Sequence, residues 1–159
     1  MYGCFQMNLM TRTLNLLSMS LSPTILQRIT TGLALSLYGN HFWLLYDGDR
    51  LISFVDGFVT DDADLTDEMY ENAAMHNESG AWQMIFGVNT LPAYRQHGYA
   101  GKLLQKATAD AKEQGRKGLV LTCKNRLVHY YAKFGFVDED VTDKSTHGNV
   151  AWHQMRLTF

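Results

Sequence analysis

Apolar residues recur with two different periods in the first third of the chain. Every fourth residue is apolar over Pro23–Tyr38, which predicts a helix that ends at Gly39. The predicted buried stripe of this helix consists of Ile25, Ile29, Leu33 and Leu37. Two runs of strand-forming residues follow over residues 41–59, and Asp47-Gly48 between them predicts a tight hairpin turn.

The second half of the chain combines continuous apolar runs with an amphipathic helix. Ala81–Val88 is almost wholly apolar, which is typical of a central strand covered on both faces. Helical spacing of apolar residues after Tyr99 predicts a helix that ends at Gly115. The other predicted elements are a buried strand at Gly118–Cys123, a short helix at Arg126–Lys133 closed by Gly135, and strands at Phe136–Val141 and Asn149–Phe159.

The segment between Asp61 and Glu78 is acidic. It contains seven Asp or Glu residues and no Lys or Arg, and such a segment can attract a cationic substrate. Thr66, followed by Asp67 and Glu68, predicts a capped helix start. A solvated helix start is therefore the alternative explanation for part of the acidity.

Composition narrows the class of protein. The chain has 159 residues, 46% of them apolar, which predicts one domain over residues 1–159 with an atypical segment at residues 1–22. The net charge of -2 provides no global basic field, so we expect neither nucleic acid nor a membrane surface as a partner. Cys4 and Cys123 are too few for a disulfide framework and have no zinc-site spacing, which predicts a cytoplasmic protein. Polar residues interrupt the apolar N-terminal run, so no signal peptide or membrane span is expected.

The turn before the long helix has the features of an anion site. A strand, a turn and a helix in this order present free N–H groups at the end of a buried strand. Gly98 lets a ligand approach the backbone, Arg95 adds a positive charge, and the first acid of the helix is Asp110. The glycine spacing matches neither a P-loop nor a dinucleotide fingerprint. The sequence predicts a local anion site here, with a simple tight turn as the alternative.

Two motifs carry a family resemblance. Arg95-x-x-Gly98-x-Ala100 resembles the pyrophosphate-binding signature of the GNAT superfamily of acyl-coenzyme A N-acyltransferases. Asn125–Phe136 is similar to the second motif of that superfamily, with an Asn followed by Tyr-x-Lys-x-Gly-Phe. The end of the chain, residues 145–159, resembles the branch that contains arylalkylamine N-acetyltransferase and its bacterial relatives.

The resemblance implies a fold, a cosubstrate and a set of contacts. The implied fold is a mixed α/β domain whose mostly antiparallel central sheet is splayed at the cofactor slot and flanked by helices. Acetyl-coenzyme A (acetyl-CoA) is expected between the strands at residues 81–88 and 119–123, with no metal required, and a small primary amine is the expected acceptor. A homodimer is compatible with this class of protein. The implied cofactor-binding residues are Phe86, Val88, Arg95, Gln96, His97, Gly98, Tyr99, Ala100, Gly101 and Asn125.

Tyr131 occupies the position of the catalytic tyrosine in the resembling motif. A phenol, with a pKa of about 10, can protonate a departing thiolate, whose pKa is about 8.5. The alternative role of Tyr131 is that of a core residue on a short helix, the role we expect for its neighbour Tyr130. The resemblance also implies that a backbone N–H near Val88 stabilises the developing oxyanion.

The proton acceptor for the amine is less evident. The resembling arylalkylamine enzymes use two histidines on the central strand, whereas Trp82 and Met84 hold those positions here. His147 is the candidate base because imidazole titrates near neutral pH, and Glu78 is the second candidate. Each can instead be an ordinary surface residue, with a chain of water molecules removing the proton.

Two further functions remain open at this point. A protein or peptide amine can replace the small amine on the same fold. The chain can also be a non-catalytic acyl-CoA-binding module, since its first 22 residues are atypical and the histidine pair is missing. Formation of an acetylated product distinguishes an enzyme from such a module.

Overall fold

A computed structural model describes residues 2–3 and 33–159 of the chain. Within these residues, seven strands form one sheet in the order β1-β2-β3-β4-β5-β7-β6, and every neighbouring pair except β4–β5 is antiparallel. The strands are β1 Tyr2–Gly3, β2 Phe42–Asp47, β3 Arg50–Thr60, β4 Trp82–Thr90, β5 Gly118–Lys124, β6 Val137–Thr142 and β7 Trp152–Thr158. The fold is therefore the expected mixed α/β architecture with a mostly antiparallel sheet.

Helices cover both faces of the sheet. The described α-helices are α1 Leu33–Tyr38, α2 Asp67–Glu71, α3 Tyr99–Glu113 and α4 Val128–Ala132. Short 3₁₀ turns occur at Gly39–His41, Ala73–Met75, Pro92–Tyr94, Asn125–Leu127 and His147–Asn149. None of the described helices is long and apolar enough to cross a membrane.

Two apolar clusters form the core, one on each face of the sheet. The first packs α1 and α2 against β3, and Phe54 and Phe58 are wholly buried in it. The second packs α3 against the opposite face around Leu104. Met84 belongs to the first cluster and Ile85 to the second, so β4 is covered on both faces as its apolar sequence predicts.

The buried face of α1 differs from the predicted stripe. Leu33 and Leu37 are 52% and 47% exposed, so the prediction was wrong for these two residues. The buried residues of α1 are Ala34, Leu35 and Tyr38. The Tyr38 ring stacks on Phe42 with centroids 6.1 Å apart, and this contact with the sheet sets the rotation of the helix. Residues 23–32 of the predicted helix lie outside the described residues.

Several predicted boundaries also shift. The hairpin turn is confirmed, with Gly48 at φ 57° between β2 and β3. The chain after α1 continues into a 3₁₀ turn instead of stopping at Gly39. Thr66 is the N-cap residue of α2, but its side chain makes no capping hydrogen bond within the described residues. The last strand begins at Trp152 because His147–Asn149 forms a 3₁₀ turn.

A gap opens between β4 and β5 part-way along the sheet. The two strands pair from Trp82 to Ile85 on the β4 side, and no further β4–β5 pairing exists in the described chain although β4 continues to Thr90. The β3 pairing skips Phe86, since Ile85 pairs with Gly57 and Gly87 with Asp56. Such a bulge bends the strand and increases its twist, so β4 turns away from β5. This divergence is the splay that the resemblance implies.

Gly57 permits the bulge to form. A Cβ atom on Gly57 would lie 1.7 Å from the carbonyl oxygen of Met84, a distance that no side chain tolerates. The absence of a side chain therefore lets β3 approach β4 closely where the gap begins.

Strand β6, which lies at the edge of the sheet within the described residues, is also irregular. Strand β6 pairs with β7 at Asp138 and again at Val141, with a bulge between these residues. Asp140 in this bulge has a left-handed backbone with φ 74°. Hydrogen-bond pairing along this edge is therefore interrupted in its middle.

Candidate functional site

A cavity of about 280 Å³ lies where the gap in the sheet meets the ends of two helices. Its walls come from the end of β4, the turn and first residues of α3, and the start of α4. Seven of the predicted site residues line it, namely Val88, Arg95, Gln96, Gly98, Tyr99, Ala100 and Tyr131. The structure therefore brings together the residues of the two motifs, which are far apart in sequence.

The first turn of α3 presents its backbone N–H groups at this cavity. Gly98 is the N-cap residue, with a left-handed φ of 76°, and a Cβ placed on it would meet no atom within 4 Å. The first residue that donates back into the helix is Lys102, whose N–H bonds the carbonyl oxygen of Gly98 at 3.1 Å. The first turn contains no acidic residue. The helix dipole is thus left without a carboxylate at its positive end.

Arg95 and His97 fix the conformation of the turn before α3. The Nε atom of Arg95 donates to the carbonyl oxygen of Thr90 at 3.1 Å, which holds the guanidinium at the cavity wall. The Nδ1 atom of His97 donates to the carbonyl oxygen of Arg95 at 2.7 Å, and its ring stacks on Tyr99. His97 supports the turn from outside the cavity lining.

Gly101 has a packing role that the sequence did not reveal. It is buried, and a Cβ atom on it would lie 2.8 Å from the ring of Phe134. Glycine at this position lets the residues around α4 pack directly against the first turn of α3. Gly101 is not part of the cavity lining, so its expected contribution is limited to its backbone N–H.

Two neighbouring tyrosines of α4 reach the cavity. Tyr131 is 7% exposed, and burial raises its pKa, with smaller contributions from Cys123, Tyr130 and Tyr70. The rings of Tyr130 and Tyr131 meet edge to face with centroids 5.1 Å apart. Both residues line the cavity, although the sequence predicted only Tyr131 there. Tyr131 keeps its proton at neutral pH and has the form of a proton donor.

Besides His97 and Gly101, two further predicted cofactor contacts do not line the cavity. The ring of Phe86 packs against Phe58 and Tyr70 at centroid distances of 4.8 and 4.9 Å, on the opposite face of the sheet. Asn125 begins the 3₁₀ turn after β5 and is exposed. The backbone of Phe86 still borders the gap, but its side chain does not.

His147 also lies on the face of the sheet opposite the cavity. Its Nδ1 atom is 2.8 Å from Oδ1 of Asp67. Its ring packs against Trp152 with centroids 4.3 Å apart and against Tyr70 at 5.2 Å. The Tyr70 hydroxyl is 3.2 Å from Oγ1 of Thr122, in the part of β5 that has separated from β4. The structure thus places His147 near the rear of the gap and away from the Tyr131 side.

Asp67 is held as a carboxylate. Burial raises its pKa, but hydrogen bonds from the Thr146 backbone, His147 and Ser145 outweigh burial, and the pKa is lowered overall. The side chain that was predicted to begin a solvated helix therefore ties α2 to the loop before β7. This contact joins residues about 80 positions apart in the chain, and no sequence pattern predicted it.

Comparison with known proteins agrees with this geometry. Residues 14–136 match the model of the Acetyltransferase (GNAT) family. The chain belongs to the GNAT acetyltransferase family. No curated protein matches the sequence.

Solved structures share the fold at low sequence identity. The loading GNATL domain of CurA from Lyngbya majuscula has a TM-score of 0.73 at 16% identity, with 99% of this chain and 98% of that chain covered. The NatC complex bound to Gag peptide and CoA contains a chain with a TM-score of 0.71 at 12% identity, with 100% and 98% covered. A structure from Bacillus anthracis str. Ames, provisionally a streptothricin acetyltransferase and in complex with acetyl coenzyme A, has a TM-score of 0.54 at 17% identity, with 74% and 61% covered. These similarities show the fold of the GNAT domain.

Part of the acidic segment of this GNAT domain is engaged by basic side chains of the same chain. Asp64 accepts hydrogen bonds from Gln154 and Arg156, each at 2.8 Å, and pairs with Lys144. Asp67 is engaged by His147, as described above. The local attraction for a cationic acceptor is therefore weaker than the count of acids indicates.

Glu78, the second candidate base, lies far from the cavity. Its Oε2 atom is 3.0 Å from Nε2 of His41 and 3.1 Å from Nε2 of His76, and its Oε1 atom accepts from Arg116 at 3.2 Å. Arg116 also donates to the carbonyl oxygen of Gly80, which precedes β4. This cluster closes the end of the sheet opposite the gap, so Glu78 has no access to the chemistry proposed for Tyr131.

His41, His76 and Glu78 resemble a metal site by distance, since their ligand atoms lie within 4.8 Å of one another. The hydrogen bonds of His76 oppose this role. The backbone N–H of Val59 donates to Nδ1 of His76 at 3.2 Å, which requires the proton of the neutral ring to lie on Nε2. A metal bound to Nε2 would require the ring proton to lie on Nδ1 instead. Nδ1 could then no longer accept the hydrogen bond from the N–H of Val59. The cluster is therefore arranged for hydrogen bonding to Glu78.

The same cluster predicts a loss of stability in mild acid. Burial lowers the pKa of His76, and the adjacent His41 lowers it further, whereas Glu78 opposes the shift. Because the folded protein binds this proton less readily than the unfolded chain, the stability conferred by neutral His76 is lost as the pH falls below about 6.5. We expect the melting temperature of His76→Gln, whose amide can still accept from Val59, to depend less on pH between about 7.5 and 5.5 than that of the wild type. His129→Gln, which changes an exposed histidine of α4, is the control, and equal slopes in all three proteins would contradict the assignment.

Proposed function

We propose that the protein is an acetyl-CoA-dependent N-acetyltransferase that acetylates a primary amine by direct attack within a ternary complex. The observation that carries the proposal is the shared cavity, into which both the first turn of α3 and Tyr131 open. An anion site and a buried proton donor in one cavity suit a substrate that carries a pyrophosphate at one end and a thioester at the other. The acetyl coenzyme A complex of the related Bacillus anthracis structure supports this choice of cosubstrate.

The anion site would hold the pyrophosphate of acetyl-CoA. The amides of Gly98, Ala100 and Gly101 precede Lys102, the first residue whose N–H donates into the helix, so they can donate to phosphate oxygens. Arg95 supplies the positive charge at the wall of the cavity. Beyond Ile85, the β4 backbone facing the gap offers hydrogen-bonding groups to the extended pantetheine arm.

Gly98→Glu tests the phosphate assignment. A carboxylate at the helix N-cap should repel the pyrophosphate and reduce coenzyme A binding in calorimetric titration by at least about a hundredfold, on the order of a 3 kcal/mol penalty for an unpaired charge next to a ligand anion. Gly115→Glu is a matched control, because Gly115 ends the same helix with φ 74° and open space around it, close to φ 76° and open space at Gly98. Equal affinities in the two variants would contradict the assignment.

Tyr131 is proposed as the general acid. The amine nitrogen bonds to the acetyl carbon, the carbon–sulfur bond breaks, and the departing thiolate takes the proton of the Tyr131 hydroxyl. Burial raises the pKa of this phenol. The same buried surroundings disfavour the charge of the departing thiolate, which therefore takes up a proton more readily. Proton transfer from Tyr131 moves the negative charge from sulfur to the phenolate oxygen, which must regain a proton, in balance the one that the amine releases, before the next turnover.

Tyr131→Phe keeps the ring that packs against Tyr130 and Phe136 and deletes only the proton donor. We expect kcat to fall on the order of a hundredfold, with coenzyme A affinity retained. Steady-state rates measured by thiol release, together with calorimetric binding, separate the two effects. Wild-type kcat in this variant, when the chemical step limits the rate, would assign Tyr131 to packing alone.

His147 is proposed as the base that accepts the amine proton. Asp67 binds its Nδ1 side at 2.8 Å, which leaves Nε2 of the neutral ring as a proton acceptor. The neighbouring Tyr70 and Thr122 hydroxyls lie where β5 has separated from β4. These contacts support an approach of the acceptor amine from the face of the sheet opposite the cavity. The amine would then reach the acetyl group through the gap between β4 and β5.

The pH profile tests this base. With His147 as the base, kcat/KM should reach a plateau once this base has lost its proton, whereas His147→Ala should lose the plateau and keep rising with the free-amine fraction toward about pH 10. His153→Ala is the control, since His153 forms a similar pair with Asp138 at 3.0 Å. Trp152 packs on His147, and successive residues of a strand point to opposite faces, so His153 points away from the face that holds His147. A wild-type rate that rises without a plateau would instead indicate proton loss to solvent.

A peptide amine is the second candidate acceptor. The structure from the NatC complex, which contains a Gag peptide, covers this chain completely, whereas the structure with acetyl coenzyme A covers 74% of it. An acceptor panel of small aromatic amines, alkyl amines and short peptides, assayed with acetyl-CoA by thiol release, decides between them. Coenzyme A binding without turnover on any acceptor would favour the non-catalytic module.

A further inference from the structure

Tyr130 lines the candidate coenzyme A cavity. A role in packing the core does not explain this position. The residue is half-buried, and its ring packs edge to face on Tyr131 at 5.1 Å and on Phe134 at 5.3 Å. In the described part of the chain, no residue forms a hydrogen bond with its hydroxyl group. Burial raises the pKa of Tyr130, so the hydroxyl is neutral and able to donate near pH 7.

The position of the hydroxyl indicates which part of a ligand it would meet. The Tyr130 Oη atom lies 3.9 Å from the point that a Cβ atom on Gly101 would occupy. Gly101 belongs to the first turn of α3, and Ala100 before it lines the same cavity. The hydroxyl therefore lies beside the first turn of α3.

We propose that Tyr130 binds the pyrophosphate of coenzyme A by donating a hydrogen bond from its hydroxyl group to a phosphate oxygen. This inference rests on the proposed function, because it assumes that coenzyme A occupies the cavity. Hydrogen bonds to a charged acceptor are roughly twice as strong as those between neutral groups. The two adjacent tyrosines then have separate roles, with Tyr130 contributing to cosubstrate affinity and Tyr131 to proton transfer.

Tyr130→Phe is a clean test, because the phenylalanine ring keeps the contacts with Tyr131 and Phe134. Tyr94→Phe is its matched control. Tyr94 lines the same cavity, but its hydroxyl already donates to Asp47 at 3.1 Å. Removal of a hydroxyl that is already engaged by the protein should leave the affinity for coenzyme A unchanged.

The experiment measures dissociation constants for three probes with the full-length wild type and both variants. Coenzyme A carries the pyrophosphate and the 3′-phosphate, dephospho-coenzyme A keeps only the pyrophosphate, and pantetheine has neither. Calorimetry suits the two nucleotides, and competition against acetyl-CoA, followed by formation of the acetylated amine, suits pantetheine. The kcat of each variant at saturating acetyl-CoA is measured alongside.

The expected result is a loss of about tenfold in the affinity of Tyr130→Phe for coenzyme A and dephospho-coenzyme A, with pantetheine affinity and kcat unchanged. An equal loss for pantetheine would overturn the proposal and assign the hydroxyl to the pantetheine arm. A loss for coenzyme A alone would assign it to the 3′-phosphate, and no loss would make it a solvated group. Failure of the wild type to bind coenzyme A would overturn the proposed function itself, and this outcome is evident before any variant is compared.

Discussion

The separation of β4 from β5 after Ile85 is the constraint on which the rest of the site depends. Two strands that remained paired would satisfy each other's backbone groups and leave no room between them. The bulge at Phe86, which Gly57 permits, ends this pairing while β3 still supports β4 from the other side. The sheet therefore remains one continuous layer, yet it has an opening in its interior. The ends of α3 and α4 converge at this opening, which is why residues from distant motifs share one cavity.

Much of the fold was predictable from the sequence because it follows from local rules. The turn at Gly48, the apolar run of β4 and the helical period of α3 each need only a few neighbouring residues to specify them. The orientation of α1 is different, because it depends on how Tyr38 meets Phe42 in a strand that comes later in the chain. Periodicity identifies a helix with an apolar side, but packing against the sheet decides which residues of that side are buried.

The candidate site also has one part that short motifs predict and another part that depends on contacts between distant residues. Gly98 and Tyr131 were predicted because each lies at a fixed place in a short motif, and the structure places both at the cavity. The pairing of His147 with Asp67 was not predictable, since it joins a helix and a loop that are separated in the chain by strands β4, β5 and β6. Tyr130 packs against the core as expected, but its place at the cavity was not predicted, for a simpler reason. Neighbouring residues of a helix point about 100° apart, so a prediction that Tyr131 faces the cavity implies that Tyr130 does not. The cavity is nevertheless wide enough for both rings to line it.

The irregular edge strand has a consequence for how copies of this protein can meet. Strand β6 carries Val137 and Val141 at 66% and 54% exposure, a pattern that would favour strand-to-strand association if the edge were straight. Its middle contains three consecutive acids, residues 138–140, and the left-handed backbone of Asp140 breaks the row of hydrogen-bonding groups. Two such edges side by side could pair only along an interrupted ladder. The edge is thereby protected against open-ended polymerisation, and a closed dimer of this chain would be built on another surface.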